Sequence, residues 1–320
     1  MPKSIEVMPT RFAQHGVLEV PDIPVYAYQQ SVQDEQSNYS ADELRQVLRH
    51  MMILREFETM LNAIRSRGEH NGIKCSYRGP AHLSIGQEAS AVGMALALKP
   101  DDHIFGNHRS HGEALAKGLA AIDRCNDNEL GSRMMQHPAL LQATQKHLGG
   151  EGVELAEHFL LFGFLSEVLM RSTGFNQGMG GSMHAFYTPF GIYPNNAIVG
   201  GSAGIATGAA MYKRQSADGI TVSITGDGST GCGQTFEAMN FASMAQLRTL
   251  WKDANAGGLP VLFLFNNNFY AMGGQTIGET MGWDRLSRIG AGINADAMHA
   301  ETVDGTNPLA VADAVSRKRT

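Results

Sequence analysis

The chain has 320 residues, of which 43% are apolar and only 18% are charged. This length is enough for one large domain or two ordinary ones, and the composition excludes a disordered chain. Twenty-five basic and 31 acidic residues give a net charge of −6, and the basic residues are scattered. Neither nucleic acid nor an anionic membrane surface is therefore expected as a partner.

The three cysteines, Cys75, Cys125 and Cys232, are too few and too far apart for a disulfide framework. They also lack the short spacing that is typical of a zinc site. Both observations favour a reducing compartment, and we expect a cytoplasmic protein.

Residues 1–39 differ from the rest of the chain because they are polar, mixed in charge and interrupted by Pro9, Pro21 and Pro24. They lack the apolar core of a signal peptide and the arginine-rich, acid-poor composition of a transit peptide. No apolar run in the sequence has the length of a membrane span. We predict an N-terminal arm over residues 1–39, which packs late or on a partner, and one domain over residues 40–320.

Three helices are predicted in the first 200 residues. Ser40, with Glu43 three residues later, has the pattern of a capping box, and apolar residues follow at helical spacing. Residues 83–98 are rich in small side chains, which predicts a helix that packs closely on its neighbour. Residues 155–169 carry leucine or phenylalanine at steps of three and four, which predicts a buried amphipathic helix.

Strands and helices alternate from residue 198 onward. A glycine- and alanine-rich helix is predicted over residues 200–211, and strands are predicted over 220–225 and 261–265, with a helix over 234–247 between them. Strand, loop, helix and strand form a βαβ unit, which implies parallel strands joined by a right-handed crossover. The fold class is therefore expected to be α/β with a parallel sheet.

The loop after the first of these strands reads GDGSTG over residues 226–231. It matches the G-x-G-x-x-G pattern of dinucleotide-binding loops, but a lone match is weak evidence. The acidic residue that such a site needs about twenty positions later is missing, because Gln246 and Leu247 lie there. Asp227 would also repel a bare pyrophosphate. An NAD-binding protein is therefore a disfavoured alternative.

A divalent cation would remove that repulsion. The second strand ends in three asparagines, residues 266–268, and the carboxyl ends of parallel strands meet at the edge of the sheet where ligands bind. We expect Asp227 to be an exposed loop carboxylate that meets these asparagines. Carboxylate, amide and carbonyl oxygens suit Mg²⁺ or Ca²⁺ together with diphosphate oxygens. Backbone N–H groups of Gly228 and Ser229 would face the phosphates.

The pair GDG and NN resembles the fingerprint of thiamine diphosphate enzymes. Six further strings resemble the alpha subunit of thiamine-dependent 2-oxo acid dehydrogenases, the first component of the pyruvate, branched-chain and acetoin dehydrogenase complexes. The strings are HLSIGQEA (82–89), HRSHGEALAKG (108–118), GGSMHAF (180–186), NAIVGG (196–201), GQTFEAMN (233–240) and NNFYAMG (267–273). The resemblance covers residue 40 to the end of the sequence. It implies a three-layer thiamine diphosphate-binding fold with helices on both faces of the sheet.

The resemblance also implies roles for single positions. Asp227, the Asn268 side chain and the Tyr270 main-chain carbonyl match magnesium ligands. His82 matches a histidine at the reacting end of the cofactor and is the candidate catalytic residue. The other cofactor-binding positions are His108, Arg109, Ala197, Val199, Gly228 and Ser229. Arg109 matches a phosphate-binding arginine, whereas His108 stands where the family commonly has tyrosine.

Other polar residues in the matched strings have less defined roles. His111 and His184 could hold the hydrogen bonds of the site or contact its ligand. Glu88 and Glu237 are interpreted as structural, because the family places the glutamate that activates the cofactor on its beta subunit.

Three features depart from the family pattern. Residues 119–164 form a longer segment than is usual, and the crossover at 247–259 is extended, with a loop predicted at 255–258. The family also continues, after the helix that follows Gly305, with a strand and a histidine-bearing loop. We therefore expect the domain to be truncated at its C-terminus.

The resemblance implies an alpha subunit of an alpha/beta heterotetramer, with thiamine diphosphate and Mg²⁺ as cofactors and the site at the interface with the beta subunit. Its expected reaction is the oxidative decarboxylation of a small, pyruvate-like 2-oxo acid, with acyl transfer to a lipoyl-bearing acyltransferase. Acetoin dehydrogenase, a transketolase-like thiamine enzyme and a non-catalytic truncated subunit remain open as alternatives.

Overall fold

The computed structural model describes residues 4–216, 218–250 and 257–319. Its helices are α1 (Pro9–Phe12), α2 (Val32–Glu35), α3 (Ala41–Arg67), α4 (Glu88–Leu96), α5 (His111–Arg124), α6 (Asp127–Met134), α7 (Pro138–His147), α8 (Gly152–Val168), α9 (Gly201–Ser216), α10 (Gly233–Ala242), α11 (Ala245–Arg248), α12 (Arg288–Asn294) and α13 (Pro308–Arg319). Its strands are β1 (Glu69–His70), β2 (Ile73–Lys74), β3 (His103–Phe105), β4 (Ile192–Tyr193), β5 (Thr221–Gly226), β6 (Val261–Asn266), β7 (Tyr270–Ala271) and β8 (Gly274–Gln275). Thr188–Phe190 and Asp227–Gly231 form 3₁₀ helices. Of the loop predicted at 255–258, positions 255 and 256 lie outside the described residues.

Four parallel strands form the central sheet in the order β4-β3-β5-β6. β5 and β6 pair along their whole length, from Thr221 opposite Val261 to Gly226 opposite Asn266. They are consecutive parallel strands with α10 and α11 between them, so the predicted βαβ unit is confirmed. The register also sets the two strand ends side by side, which positions the site described below.

Helices cover both faces of this sheet. Val222 of β5 packs in one apolar cluster with Met94 of α4 and Val311 of α13. On the opposite face, the hydroxyl of Thr221 donates a hydrogen bond to the carbonyl of Ala206 in α9, at 3.1 Å. Successive side chains of a strand point to opposite faces, so this alternation separates the two helical layers. The expected three-layer parallel α/β fold is confirmed.

A second core lies among the helices α3, α5, α6, α7 and α8. Phe159 and Phe164 of α8 are completely buried in it, and the ring of Phe164 meets that of Phe57 in α3 edge to face at 5.9 Å. The helix predicted at 155–169 is confirmed as the buried α8, but it is not amphipathic, because it is buried on nearly all sides. This helical core holds α3 and the start of α5 against each other, close to the sheet edge that carries the site.

The capping box predicted for the first long helix is present. The hydroxyl of Ser40 accepts a hydrogen bond from the Glu43 N–H, and the Glu43 carboxylate accepts one from the Ser40 N–H, at 3.2 and 2.8 Å. The helix ends at Gly68, which adopts a left-handed conformation with φ of 70°. Glycine is favoured there because it carries no Cβ.

Two predicted helices differ from the observed ones. The helix expected over 83–98 begins only at Glu88, because the Ser84 N–H donates to the carboxylate of Glu58 and Gly86 has φ of +95°. The helix expected over 234–247 is divided into α10 and α11, because Met244 is extended, with φ −61° and ψ 140°. Tertiary contacts and single backbone torsions override the local helical pattern at both places.

The side chains of residues 4–22 are exposed, and Val25 is the first residue that pairs with the domain, through a parallel bridge to Thr302. This exposure agrees with the expected arm, although the division of the chain at residue 40 stays a prediction.

None of the helices in residues 4–216, 218–250 and 257–319 combines the length and the apolar character that crossing a membrane requires.

Candidate active site

Loops that follow the four parallel strands meet at one edge of the sheet. The carbonyl of Gly106, directly after β3, accepts hydrogen bonds from the Asn196 N–H at 3.1 Å and from the Ser202 hydroxyl, which joins it to the loop after β4. Gly226 and Asn266 lie opposite each other at the ends of β5 and β6. This edge is where ligands bind in parallel α/β proteins.

Asp227 is the first residue after β5, and it is only 2% exposed. The prediction of an exposed loop carboxylate was therefore wrong. Its Oδ2 accepts a hydrogen bond from the Thr276 hydroxyl at 2.6 Å, and its carbonyl accepts one from the Thr230 hydroxyl at 2.8 Å. The segment after β8 thus folds back over the loop and covers the carboxylate.

The ion pairs of the described residues leave Asp227 without a basic partner. A buried carboxylate is costly unless a positive charge and hydrogen bonds compensate for its lost hydration. One hydroxyl donor does not supply that charge. The side chain therefore fits a bound cation.

Asn268 and Tyr270 lie in an exposed turn after β6. The side-chain oxygen of Asn268 accepts the Tyr270 N–H at 3.0 Å, and that of Asn267 accepts the Phe269 N–H at 3.1 Å. These two overlapping turns hold the backbone, and Phe269 adopts a positive φ of 63°. The turn starts beside Asp227 because β5 and β6 end together.

The three expected metal ligands form a hard-oxygen set of carboxylate, amide and carbonyl. In the part of the chain that the structure describes, no three or more His, Cys, Asp or Glu side chains group in a way that could hold a metal. A site at this edge would depend on Asp227 with amide and carbonyl oxygens beside it. Such a set suits Mg²⁺, which prefers few carboxylates with phosphate and water oxygens.

Close packing explains the glycines at two of these loops. A Cβ on Gly228 would lie 2.9 Å from the Cβ of Ala271, so the turn after β6 rests directly on the GDG loop. Gly200 has φ of 76°, and a Cβ there would lie 3.0 Å from the Thr235 hydroxyl. Small residues let the backbone approach a neighbour or a ligand closely.

Ala197 and Val199 lie in the loop after β4. The Val199 carbonyl accepts a hydrogen bond from the Gln234 side chain at 3.3 Å, and the Ile198 N–H donates to the Asn196 side chain at 2.8 Å. The loop is therefore held against the start of α10, next to Ser229 and the GDG loop. The structure brings these predicted positions to the same edge as Asp227.

His82 and His108 come together although 26 positions separate them in the sequence. Their rings meet edge to face with centroids 5.0 Å apart. The Arg109 guanidinium donates to the Leu83 carbonyl, which joins the two loops. Burial, then the nearby Arg109, lowers the pKa of His82, and burial, then His82, lowers the pKa of His108. Neutral imidazoles near pH 7 can accept a proton.

Sequence reasoning missed a buried polar chain beside this pair. Nδ1 of His111 lies 2.9 Å from the Glu58 carboxylate, and Nε2 lies 2.9 Å from the Ser182 hydroxyl. All three side chains are at most 2% exposed. The Ser182 Oγ also accepts the backbone N–H of His82 at 3.4 Å. The sequence signal for this chain of hydrogen bonds was Glu58, an acidic residue on the apolar face of α3 between Leu54 and Leu61.

These hydrogen bonds change the interpretation of His111. Its imidazole is fully buried, and its two ring nitrogens face Glu58 and Ser182. His184 is exposed, and its Nδ1 lies 3.1 Å from the Asn195 carbonyl. Glu88 forms an ion pair with Arg55 at 2.7 Å, in keeping with a structural role. Glu237 is exposed on α10.

A second missed residue, Glu167, shapes the glycine-rich loop that carries Ser182. Its completely buried carboxylate accepts four backbone N–H groups at 2.6 to 3.2 Å. The donors are Asn176, Gly178, Gly180 and Gly181. Multiple charge-assisted hydrogen bonds to this carboxylate hold the loop in one conformation. This conformation places the Ser182 hydroxyl next to His111.

The fold and this edge define the class of the protein: a parallel α/β domain whose ligand-binding loops follow the strands. The profile of the family described as "Dehydrogenase E1 component" matches residues 49–136 and 156–319. The chain belongs to this family, whose fold is a thiamine diphosphate-binding α/β fold. The residues between the two matched segments include all of α7 and lie inside the segment predicted to be unusually long.

Three relatives are pyruvate dehydrogenase E1 component alpha subunits. The one from Zymomonas mobilis is 32% identical over 282 residues, 87% of this chain and 62% of that relative. The one from Rhizobium meliloti is 28% identical over 278 residues, 87% and 63% of the two chains. The mitochondrial one from Dictyostelium discoideum is 31% identical over 260 residues, which are 80% of this chain and 53% of that relative. The chain thus spans 53 to 63% of the length of these relatives.

Proposed function

We propose that the chain is the alpha subunit of a thiamine diphosphate- and Mg²⁺-dependent 2-oxo acid dehydrogenase. Its reaction is the oxidative decarboxylation of a small, pyruvate-like 2-oxo acid, followed by acyl transfer to a lipoyl-bearing acyltransferase. The family membership and the names of the relatives support the reaction type. A cytoplasmic location and a heterotetramer with the beta subunit are parts of the same proposal.

One observation carries the proposal: the buried carboxylate of Asp227 has no basic partner among the described residues, and the Asn268 turn starts beside it. The structural carboxylates are compensated differently: Glu88 pairs with Arg55, and Glu167 accepts four backbone N–H groups, whereas the Asp227 carboxylate accepts one hydroxyl. Asp227, with the Asn268 side chain and the Tyr270 carbonyl, would hold a divalent cation, whose charge would compensate that of the carboxylate.

The other site residues have proposed roles that the family membership of the chain suggests. Arg109 and the backbone N–H groups of Gly228 and Ser229 bind the diphosphate. Backbone groups of Ala197 and Val199 hold the aminopyrimidine ring. When bound, thiamine diphosphate supplies the electron sink for loss of CO₂ from a 2-oxo acid.

His82 is the proposed catalytic residue, and it holds or moves a proton at its imidazole near the reacting end of the site. Its lowered pKa supports a neutral, proton-accepting form at neutral pH. The ring of His108 packs on it and restricts its orientation. The proposed beta subunit supplies the glutamate that activates the aminopyrimidine, so the chain contributes half of a shared site.

The test is to co-express the chain with a beta subunit of the same family and to assay decarboxylation of pyruvate and branched 2-oxo acids, with acetoin cleavage in parallel. The isolated chain is expected to show no turnover, and addition of the beta subunit is expected to produce it. Decarboxylation by the chain alone would contradict the shared site. Turnover of acetoin without that of any 2-oxo acid would support the acetoin dehydrogenase alternative.

A further inference from the structure

Glu113 is a buried acid that the proposed function does not use. It lies in the first turn of α5 and is 2% exposed. Its Oε1 accepts a hydrogen bond from the Asn266 side-chain amide at 2.9 Å, whereas its Oε2 has no hydrogen-bond partner within the described residues. Burial raises the pKa of Glu113 to about 7. A buried acid in such surroundings lowers the free energy of unfolding compared with an apolar side chain of similar size.

Asn266 is the partner of this acid and the last residue of β6. Its amide nitrogen donates to Glu113 of α5, and its amide oxygen accepts the Ser90 hydroxyl of α4 at 3.3 Å. Its backbone lies opposite Gly226, next to Asp227. The side chain is therefore clamped between two helices at the point where β6 leaves the sheet.

The clamp acts on the residues that follow it. Asn267 and Asn268 begin the exposed turn that leads to the Tyr270 carbonyl, and their own side chains are bonded only within that turn. The Phe269 carbonyl accepts the Thr276 N–H at 3.1 Å, and the Thr276 hydroxyl donates to Asp227, so the far end of the turn is held over the GDG loop. At the near end, Asn266, one residue before Asn267, is the side chain that is bonded to the body of the domain.

We propose that Glu113 is a positioning residue: through Asn266 it sets the point and direction at which the chain leaves β6, and so places Asn268 and Tyr270 opposite Asp227. This inference rests on the proposed function, because the turn matters as a set of metal ligands. It adds a residue on α5 that neither the glycine loop nor the asparagine motif contains.

The experiment measures binding of thiamine diphosphate to the full chain by titration calorimetry at a series of Mg²⁺ concentrations, together with melting temperature. Glu113→Leu removes the acceptor but keeps the volume. We expect it to raise the Mg²⁺ concentration for half-maximal cofactor binding by about 10-fold, as losses of supporting contacts around metal ligands do. The melting temperature should stay equal or rise, because a buried acid is replaced by an apolar side chain.

Conservative and paired variants separate positioning from packing. Glu113→Gln keeps an oxygen for the Asn266 amide and should bind within about twofold of the original Mg²⁺ requirement. Asn266→Ala should match Glu113→Leu, and the double variant should be no worse than either, because both act through one contact. If Glu113→Leu does not fold, Asn266→Ala and Glu113→Gln carry the same comparison.

Glu157→Leu is the matched control, because Glu157 is a largely buried glutamate on α8 that pairs with Arg49 instead of the strand end. It should leave the Mg²⁺ requirement unchanged, whatever it does to stability. An unchanged requirement in Glu113→Leu and Asn266→Ala, or additive effects in the double variant, would overturn the inference alone. Absence of Mg²⁺-dependent cofactor binding in the original chain would overturn the proposed function, and this inference with it.

Discussion

The site has two walls of opposite character. On one wall, Glu58, His111 and Ser182 are buried and bonded to one another between α3, α5 and the glycine-rich loop. On the other, the segment after β6 exposes large apolar side chains, with Tyr270 at 73% and Met272 fully exposed. The first wall is complete within this chain.

The difference between the walls indicates how the site is divided. Buried polar groups that bond one another form a rigid structure and need nothing from outside. Exposed apolar groups next to a ligand-binding edge are typical of a surface that another protein covers. This comparison is in keeping with the proposal that a beta subunit completes the site. The following variants test the two walls, Asp227 between them and the packing of α5.

The largest effect is expected in the buried wall. His111→Ala would leave the buried Glu58 carboxylate with only the Ser84 N–H as a partner, and we expect a loss of about 3–5 kcal/mol in the free energy of unfolding. Urea denaturation measures it. His147→Ala, an exposed histidine of α7, is the control and should change little. A loss below about 1 kcal/mol in His111→Ala would show that the buried chain does not hold this wall together.

Asp227 lies between the two walls. Asp227→Asn keeps the shape and an acceptor for Thr276 but removes the charge, so we expect the fold to persist while cofactor affinity in Mg²⁺ falls about 100-fold or more. Calorimetry with thiamine diphosphate checks this, and Glu237→Gln on α10 is the control for loss of an acidic charge. Unchanged cofactor affinity in Asp227→Asn would remove the residue from the metal site.

Lys117 tests through pH how tightly α5, the helix that also carries His111, is packed. It is 1% exposed, donates to the carbonyls of Pro100 and Phe190 at 2.9 Å, and burial lowers its pKa from 10.5 to about 7. Between these values the unfolded chain holds a proton that the folded chain lacks. The free energy of unfolding should therefore rise with pH over this window, by up to about 1.4 kcal/mol per pH unit.

Urea titrations at several pH values between about 7 and 10 measure this slope. Lys117→Met removes the titrating group, and its slope should be shallower than that of the original chain by up to about 1.4 kcal/mol per pH unit. Parallel slopes in the two proteins would show that Lys117 keeps its ordinary pKa in the fold.

The smallest effect on stability is expected in the exposed wall. Met272→Ser should change the free energy of unfolding by no more than about 0.5 kcal/mol, because the side chain is fully exposed. It should nevertheless weaken association with the beta subunit, measured by analytical ultracentrifugation. Met135 is also exposed, at the end of α6, and Met135→Ser should weaken neither the stability nor the association. Unaltered association in Met272→Ser would mean that this part of the exposed wall is not covered by the partner.

Short-range patterns of residue spacing predicted several elements correctly. The Ser40–Glu43 capping box, the buried helix α8 and the pair of parallel strands around the GDG loop follow from residue spacing alone. The side-by-side ends of β5 and β6, with Gly226 opposite Asn266, also follow, because consecutive parallel strands end at the same edge of a sheet. Such features depend on contacts between residues that are near in sequence or joined by one crossover.

Only the tertiary structure decided which of these groups are buried. Thr276 covers Asp227 from 49 positions away, Glu58 reaches His111 across 53 positions, and Glu113 reaches Asn266 across 153. No local periodicity encodes such pairs, because each depends on how α3, α5 and the sheet pack together. By itself, the sequence determined the family, the βαβ unit and which candidate ligands follow the strand ends. Packing determined the burial of Asp227, the start of α4 at Glu88 and the buried acids beside the candidate site.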